Sequence, residues 1–162
     1  MNEASLIKAL NIKEIVACAA VYDFNRTLWV FEEYMEGGSM VRIIAQGFSH
    51  YSEDFCRYTI FKVVTVLQEL HQRNILQRDL RSCNVWCCSR GEVKISDVGA
   101  SASLQDMAAY RKVKLSSPNW LAPEVIQGGQ LYSKEVDVWS LGCFAYELAT
   151  GKSLFAKVRD RV

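Results

Sequence analysis

The stretch Gln77-Arg78-Asp79-Leu80-Arg81-Ser82-Cys83-Asn84 decides how this chain is read. Asp79 and Asn84 are five residues apart, so an acid and a carboxamide can serve one small site from a single loop. Asp97 comes thirteen residues after Asn84, heads Asp97-Val98-Gly99, and follows a hairpin pattern. It can close that site on a divalent cation, since hard oxygen donors suit Mg²⁺. Ala122-Pro123-Glu124 stands further on. Singly, each residue is the sort found in turns or as a solvated surface acid. Their order and spacing carry the information.

Outward from this stretch, the apolar pattern marks the elements that flank it. Cys56, Ile60, Val63, Val64, Leu67 and Leu70 recur at three- and four-residue spacing, which predicts a helix over 53–72. Ser52 is its N-cap, with Glu53 and Asp54 in the first turn. A second helix is predicted from Ser133 to Thr150, with Val138, Leu141, Ala145 and Leu148 as its buried stripe and Gly151 as its stop. The two helices are expected to pack together through Leu67, Leu70, Leu141 and Leu148.

Apolar runs at 15–22 and 27–34 flank Asp23-Phe24-Asn25-Arg26 and predict a hairpin. Short strands at 85–88 and 93–96 flank Ser89-Arg90-Gly91-Glu92 as another. Met35-Glu36-Gly37-Gly38-Ser39 breaks regular structure. Leu6, Ile7 and Leu10 share a helical face near the start, and 100–121 reads as a long loop.

Composition sets the limits. The chain has 162 residues, enough for one domain with a sizeable core. Half the residues are hydrophobic and 11% aromatic, which is globular rather than disordered. A formal charge of +1 gives no electrostatic case for nucleic acid or an anionic membrane. No apolar run reaches the roughly 18 residues of a membrane span, and no secretory leader stands at Met1-Asn2-Glu3. The six cysteines have no zinc-type spacing and read as reduced thiols in a cytoplasmic protein. Cys83, inside the decisive loop, would be reactive if exposed.

In order and spacing, the quoted segments resemble the catalytic loop, metal motif and activation-segment anchor of eukaryotic protein kinases. The wording around them is closer still to one branch. Leu28-Trp29-Val30-Phe31-Glu32-Glu33-Tyr34-Met35-Glu36-Gly37-Gly38-Ser39 resembles the hinge of germinal-centre and p21-activated Ser/Thr kinases. Ser117-Pro118-Asn119-Trp120-Leu121-Ala122-Pro123-Glu124 and Asp137-Val138-Trp139-Ser140-Leu141-Gly142 match the same groups.

The resemblance implies an α+β, protein-kinase-like fold: a mostly helical C-lobe with a remnant of the N-lobe antiparallel sheet. Residues 1–36 would be the N-lobe remnant and hinge, and 37–162 a partial C-lobe. It implies a domain truncated at both ends, without the Gly-rich loop, the ATP-contacting Lys or the later helices. The whole protein would be a Ser/Thr kinase that moves the γ-phosphate of ATP, with Mg²⁺, to a protein hydroxyl. The 162-residue chain alone would show little activity.

It also assigns roles. Asp79 would orient the substrate hydroxyl, and Arg81 would stabilise charge on the transferring phosphoryl group. Asn84 and Asp97 would hold the metal, and the backbone of Glu33 and Met35 would meet adenine. Glu3 matches the acid that pairs with the absent Lys. Arg78 matches the residue that meets a phosphorylated activation loop, with Ser116 and Tyr110 as acceptors. Ser117 matches the residue favouring Ser/Thr substrates. Glu124 matches an acid that pairs with an Arg of the later helices, so here it would be buried and unpaired. Asp137 matches the acid that hydrogen-bonds the catalytic-loop backbone.

The chain departs from the family pattern at several positions. Gln77 stands for His, Val98 for Phe, Arg81 for Lys and Val113 for Thr, and Glu32 puts a carboxylate at a usually apolar gatekeeper position. These departures keep a second reading open, a kinase-fold scaffold without catalysis.

Overall fold

The computed structural model describes residues 7, 9–46, 52–98, 102–103, 118–128 and 132–156. Strands β1 (Cys18–Phe24) and β2 (Thr27–Glu32) form an antiparallel hairpin. Its two-residue turn is Asn25-Arg26, with φ 51° and 61°. Positive φ at both positions gives the twist that joins adjacent strands tightly, and Asn tolerates it. A register irregularity between Cys18 and Ala20 marks a bulge at the start of β1. Strand β1 is shifted from the expected run, beginning at Cys18 and taking in Asp23 and Phe24 of the expected turn, and β2 ends at Glu32, two residues before its run does.

Strand β3 (Gly38–Ser39) pairs with β5 (Val85–Cys87), which pairs with β6 (Val93–Ile95). The Gly pair is required by space and by conformation. A Cβ on Gly37 would lie 2.7 Å from both the carbonyl oxygen and Sγ of Cys87. Gly38 adopts φ 81°, where any side chain is strained. Ser39 then opens helix α1 (Met40–Ala45), a short element with no strong signal in the sequence.

Helix α2 (Glu53–Gln72) has the predicted bounds, and Ser52 Oγ accepts from the Phe55 N–H at 3.2 Å. Strand β4 (Ile75–Leu76) follows and pairs with β7 (Ala102–Ser103). The expected loop over 100–121 therefore contains a backbone pairing that its weak periodicity does not signal. Helix α3 (Pro123–Gln127) precedes helix α4 (Glu135–Thr150), which ends on Gly151 at φ 70°. Ser133 lies outside α4, contrary to expectation.

The main core joins α2, α4, β5, β6 and the N-terminal segment through Leu70, Val85, Ile95, Phe144 and Leu148. Leu67, Leu70 and Leu148 are buried where the two helices meet, and Leu141 is half-buried. The stripe of α4 differs from expectation. Val138 is 59% exposed, while Val136, Asp137, Ser140, Cys143, Phe144, Glu147 and Leu148 face inward. Three polar residues share that face because it receives the loops that carry the site. Ser140 Oγ donates to the Trp120 carbonyl at 2.8 Å, and Trp120 Nε1 donates to Glu147 at 3.1 Å. Val64 of α2 is likewise exposed; Thr59, Val63, Val66, Leu67 and Leu70 form its buried face. Among the described residues, no helix is long and apolar enough to cross a membrane.

Candidate active site

The site is built on a buried carboxylate. Asp137, in the first turn of α4, has no solvent exposure. Its Oδ2 accepts from the Gln77 N–H at 2.9 Å, and its Oδ1 from the Arg78 N–H at 2.9 Å. His71 Nε2, from the last turn of α2, lies 2.7 Å from the same Oδ2. Three bonds to one buried carboxylate fix where the loop leaves β4. They also hold Arg78 in a left-handed backbone conformation, φ 68°, which is uncommon for a residue bearing a side chain.

Asp79 comes next, with its carboxylate engaged on both sides. Asn84 Nδ2 donates to Asp79 Oδ2 at 3.0 Å and to the Asp79 carbonyl at 2.9 Å. Arg81 Nε lies 3.2 Å from Oδ1. The three residues predicted to be catalytic are therefore in mutual contact. Asn84 is buried in the 3₁₀ turn Ser82–Asn84, and both of its amide hydrogens are committed to Asp79. Its Oδ1 remains as an acceptor, met among the described residues by the weak Cys83 thiol at 3.2 Å.

Asp97 lies beyond β6, exposed, with φ 55°. The Gln77 side chain connects it to the loop: Nε2 donates to the Asp97 carbonyl at 3.4 Å, and Oε1 accepts from the Asp79 N–H at 2.7 Å. Gln77 has no solvent exposure. Val98 is fully buried in the main core.

The donor set fits a magnesium-type ion. A carboxylate and an amide oxygen are hard ligands, and Mg²⁺ binds few protein groups while keeping positions for water and phosphate oxygens.

The hinge positions lie on the opposite face of the β5–β6 hairpin from the main core. Val85, Val93 and Ile95 point into that core, whereas Trp86, Cys88 and Lys94 face the hinge. Met35 is buried with Val16 and Cys88, and Trp86 packs on them. Lys94 Nζ lies 2.7 Å from both carboxylate oxygens of Glu33. That bond outweighs the upward push of partial burial and holds the Glu33 carboxyl below its ordinary value. The Glu33 N–H donates to the Ala17 carbonyl at 2.9 Å, and the Met35 carbonyl accepts from Gly38 at 3.0 Å. Among the described residues, the Glu33 carbonyl and the Met35 N–H have no such backbone partner.

Several expectations change at this level. Glu32 is exposed, so it does not incur the desolvation expected of a gatekeeper carboxylate. Glu124 is half-buried rather than buried as expected, in the first turn of α3, where the helix N-terminus favours an acid. Cys83 is half-buried, and burial pushes its thiol up, away from the reactive thiolate. Arg78 Nη1 donates to the Tyr132 hydroxyl at 3.4 Å. Glu3 and Ser117 lie outside the described residues, as do Tyr110, Val113 and Ser116.

Sequence reasoning missed Trp86, Lys94 and the bonding of Gln77. Period-two alternation along 85–88 puts Trp86 and Cys88 on one face and is the signal that could have found the first. The other two depend on three-dimensional pairing that spacing does not show.

Comparison with known proteins agrees with this geometry. The protein kinase domain family model matches residues 1–162. The chain is 37% identical over 153 residues to the serine/threonine-protein kinase CLA4 of Candida albicans, covering 94% of the chain and 16% of that protein. It is 34% identical over 152 residues to the serine/threonine-protein kinase pakA of Talaromyces marneffei, covering 94% and 23%. It is 34% identical over 154 residues to the serine/threonine-protein kinase STE20 of Yarrowia lipolytica, covering 94% and 13%. The chain thus spans less than a quarter of the length of these relatives. With a family model matched along its whole length, the chain belongs to the protein kinase domain family.

Proposed function

We propose that this chain is the central part of a protein serine/threonine kinase, in which residues 1–36 are the N-lobe portion with the hinge and 37–162 the C-lobe portion. The family implies ATP and a divalent metal; Mg²⁺ is the ion we assign. One observation carries the reading: Asp79 is hydrogen-bonded to Asn84 and lies within ion-pair distance of Arg81, and Asp97 is joined to this group through Gln77.

In this reading Asp79 accepts the hydrogen bond of an incoming Ser or Thr hydroxyl and holds it for in-line attack. Arg81 sets the Asp79 carboxylate from one side and offers positive charge to the transferring group. Asn84 Oδ1 and the Asp97 carboxylate would hold the metal, whose positive charge supports the phosphate oxygens when it is bound. The Glu33 carbonyl and the Met35 N–H present one acceptor and one donor to a nucleobase edge. Glu3, Arg78, Ser117, Glu124 and Asp137 keep structural or regulatory roles by resemblance. The expected partners are a Ser/Thr-bearing protein and ATP, in the cytoplasm.

Two measurements on the protein, with any native flanking sequence retained, test this. Thermal melts with ATP should show stabilisation that depends on added Mg²⁺ and weakens in Asp97→Ala. Transfer from γ-labelled ATP to a generic protein substrate should yield phosphoserine or phosphothreonine. Labelled phosphotyrosine alone would overturn the acceptor assignment. Melts indifferent to Mg²⁺ and ATP would favour the scaffold reading.

A further inference from the structure

Two residues at the site carry a left-handed backbone without being glycine, Arg78 at φ 68° and Asp97 at φ 55°. One immediately precedes the Asp79 acid and the other is the acid assigned above to the metal. Such conformations persist only where surrounding contacts impose them. Asp137 imposes the first by accepting from the Gln77 and Arg78 N–H groups. The second is reached by the Gln77 side chain.

The Gln77 amide spans the two loops with one end on each. Its Oε1 accepts from the Asp79 N–H at 2.7 Å, and its Nε2 donates to the Asp97 carbonyl at 3.4 Å. The partners fix the orientation of the amide, since a backbone N–H only donates and a carbonyl only accepts. With its backbone N–H on Asp137 as well, Gln77 links α4, the catalytic loop and the segment after β6. A buried amide satisfied at both ends is tolerated, and an apolar side chain of the same size would leave the Asp79 N–H and Asp97 carbonyl without it.

We propose that Gln77 is a positioning residue for phosphotransfer: an uncharged tie that sets the Asp79 loop against Asp97. The proposal rests on the roles given to Asp79 and Asp97 above. Gln77 touches no substrate and acts through the backbone of both acids. Because an amide does not titrate, the tie keeps its strength across the physiological pH range.

Hydrogen exchange resolved at single amides is the direct test, on the protein with its native flanks. In the wild type the Asp79 amide should be protected, unlike the amide of Arg90, which is exposed in its turn and has no backbone acceptor among the described residues. In Gln77→Leu, Asp79 protection should fall about tenfold, the scale of one hydrogen bond. Protection of Leu67 and Leu148 in the helices should be unchanged. Turnover should fall at least tenfold with little change in KM for the protein substrate, and the Mg²⁺ concentration needed for half-maximal ATP stabilisation should rise. Gln77→Met, unbranched and closer in shape, serves if the Leu variant does not fold.

Wild-type Asp79 exchanging as fast as Arg90 would overturn the proposal without any variant. So would loss of protection at Asp79, Leu67 and Leu148 together, which marks a packing residue only. Unchanged kcat and Mg²⁺ requirement despite an unprotected Asp79 would remove the positioning role. A wild type that binds no Mg²⁺·ATP and transfers no phosphate would sink the functional reading itself, whatever Asp79 protection shows.

Discussion

At the scale of single residues, Asp137 and Glu147 show how one helix face can carry both packing and polar organisation. Asp137 is worth most where it meets backbone: without it, the Gln77 and Arg78 N–H groups lose their acceptor in a buried setting. Each orphaned donor costs about 1–3 kcal/mol. Asp137→Ala should therefore lower unfolding free energy by about 2–6 kcal/mol in urea titration, and a loss under about 1 kcal/mol would show that the loop holds its own shape. Glu147 behaves differently. Burial pushes its carboxyl above the ordinary 4.5, opposed by hydrogen bonds from Ser82 and Trp120. The fold thus favours the protonated form. Its contribution is complete below pH 4.5 and is lost as pH rises through the raised folded value. Glu147→Gln keeps an acceptor for Trp120 and stays neutral, so it should flatten the stability-against-pH curve just above pH 4.5. An unchanged slope would contradict the assignment.

At the scale of elements, legibility depended on what each face meets. Helix α2 was readable because its apolar periodicity, its Ser52 cap and its acidic first turn agree. Helix α4 was readable to within two residues at its start; its facing was read correctly at Leu148 and Leu141 and wrongly at Val138. Hydrophobicity selects Val138, yet the inward face runs through Val136, Asp137, Ser140, Phe144 and Glu147, whose polar members meet loops rather than solvent. A pattern rule that counts only apolar residues cannot see such a face. The substitution pair Phe144→Ala and Val138→Ser separates the two facings. Phe144 has no exposure, and its truncation should cost about 3–5 kcal/mol. Val138→Ser should change stability by less than about 0.5 kcal/mol, as exposed positions do. Equal costs in thermal or urea unfolding would restore the facing expected from sequence. Elements α1 and β7 escaped sequence reading because two to six residues are too short to show a period.

At the scale of the whole molecule, the site joins pieces far apart in sequence: β4 and the loop after it, the β5–β6 hairpin, and the first turn of α4. Asp79, Asn84 and Asp97 were legible because their spacing matches a known order. The contacts that hold them together were not, since Gln77 to Asp97 and Gln77 to Asp137 span 20 and 60 residues. The exposed apolar side chains of β1 and β2, among them Phe24, Leu28 and Trp29, also lie beyond what alternation predicts. The function proposed above requires that Asp79, with Asn84 hydrogen-bonded to it, Arg81 beside it and Asp97 tied to it through Gln77, carries out phosphoryl transfer. The most direct measurement is single-turnover transfer of γ-phosphate from Mg²⁺·ATP, comparing the protein bearing its native flanks with Asp79→Asn. The carboxamide keeps the shape and removes the acceptor for the substrate proton, so the rate should fall by about 10²–10⁴ while ATP still stabilises the fold. Equal rates in the two proteins, or no transfer from the wild type, would contradict the account.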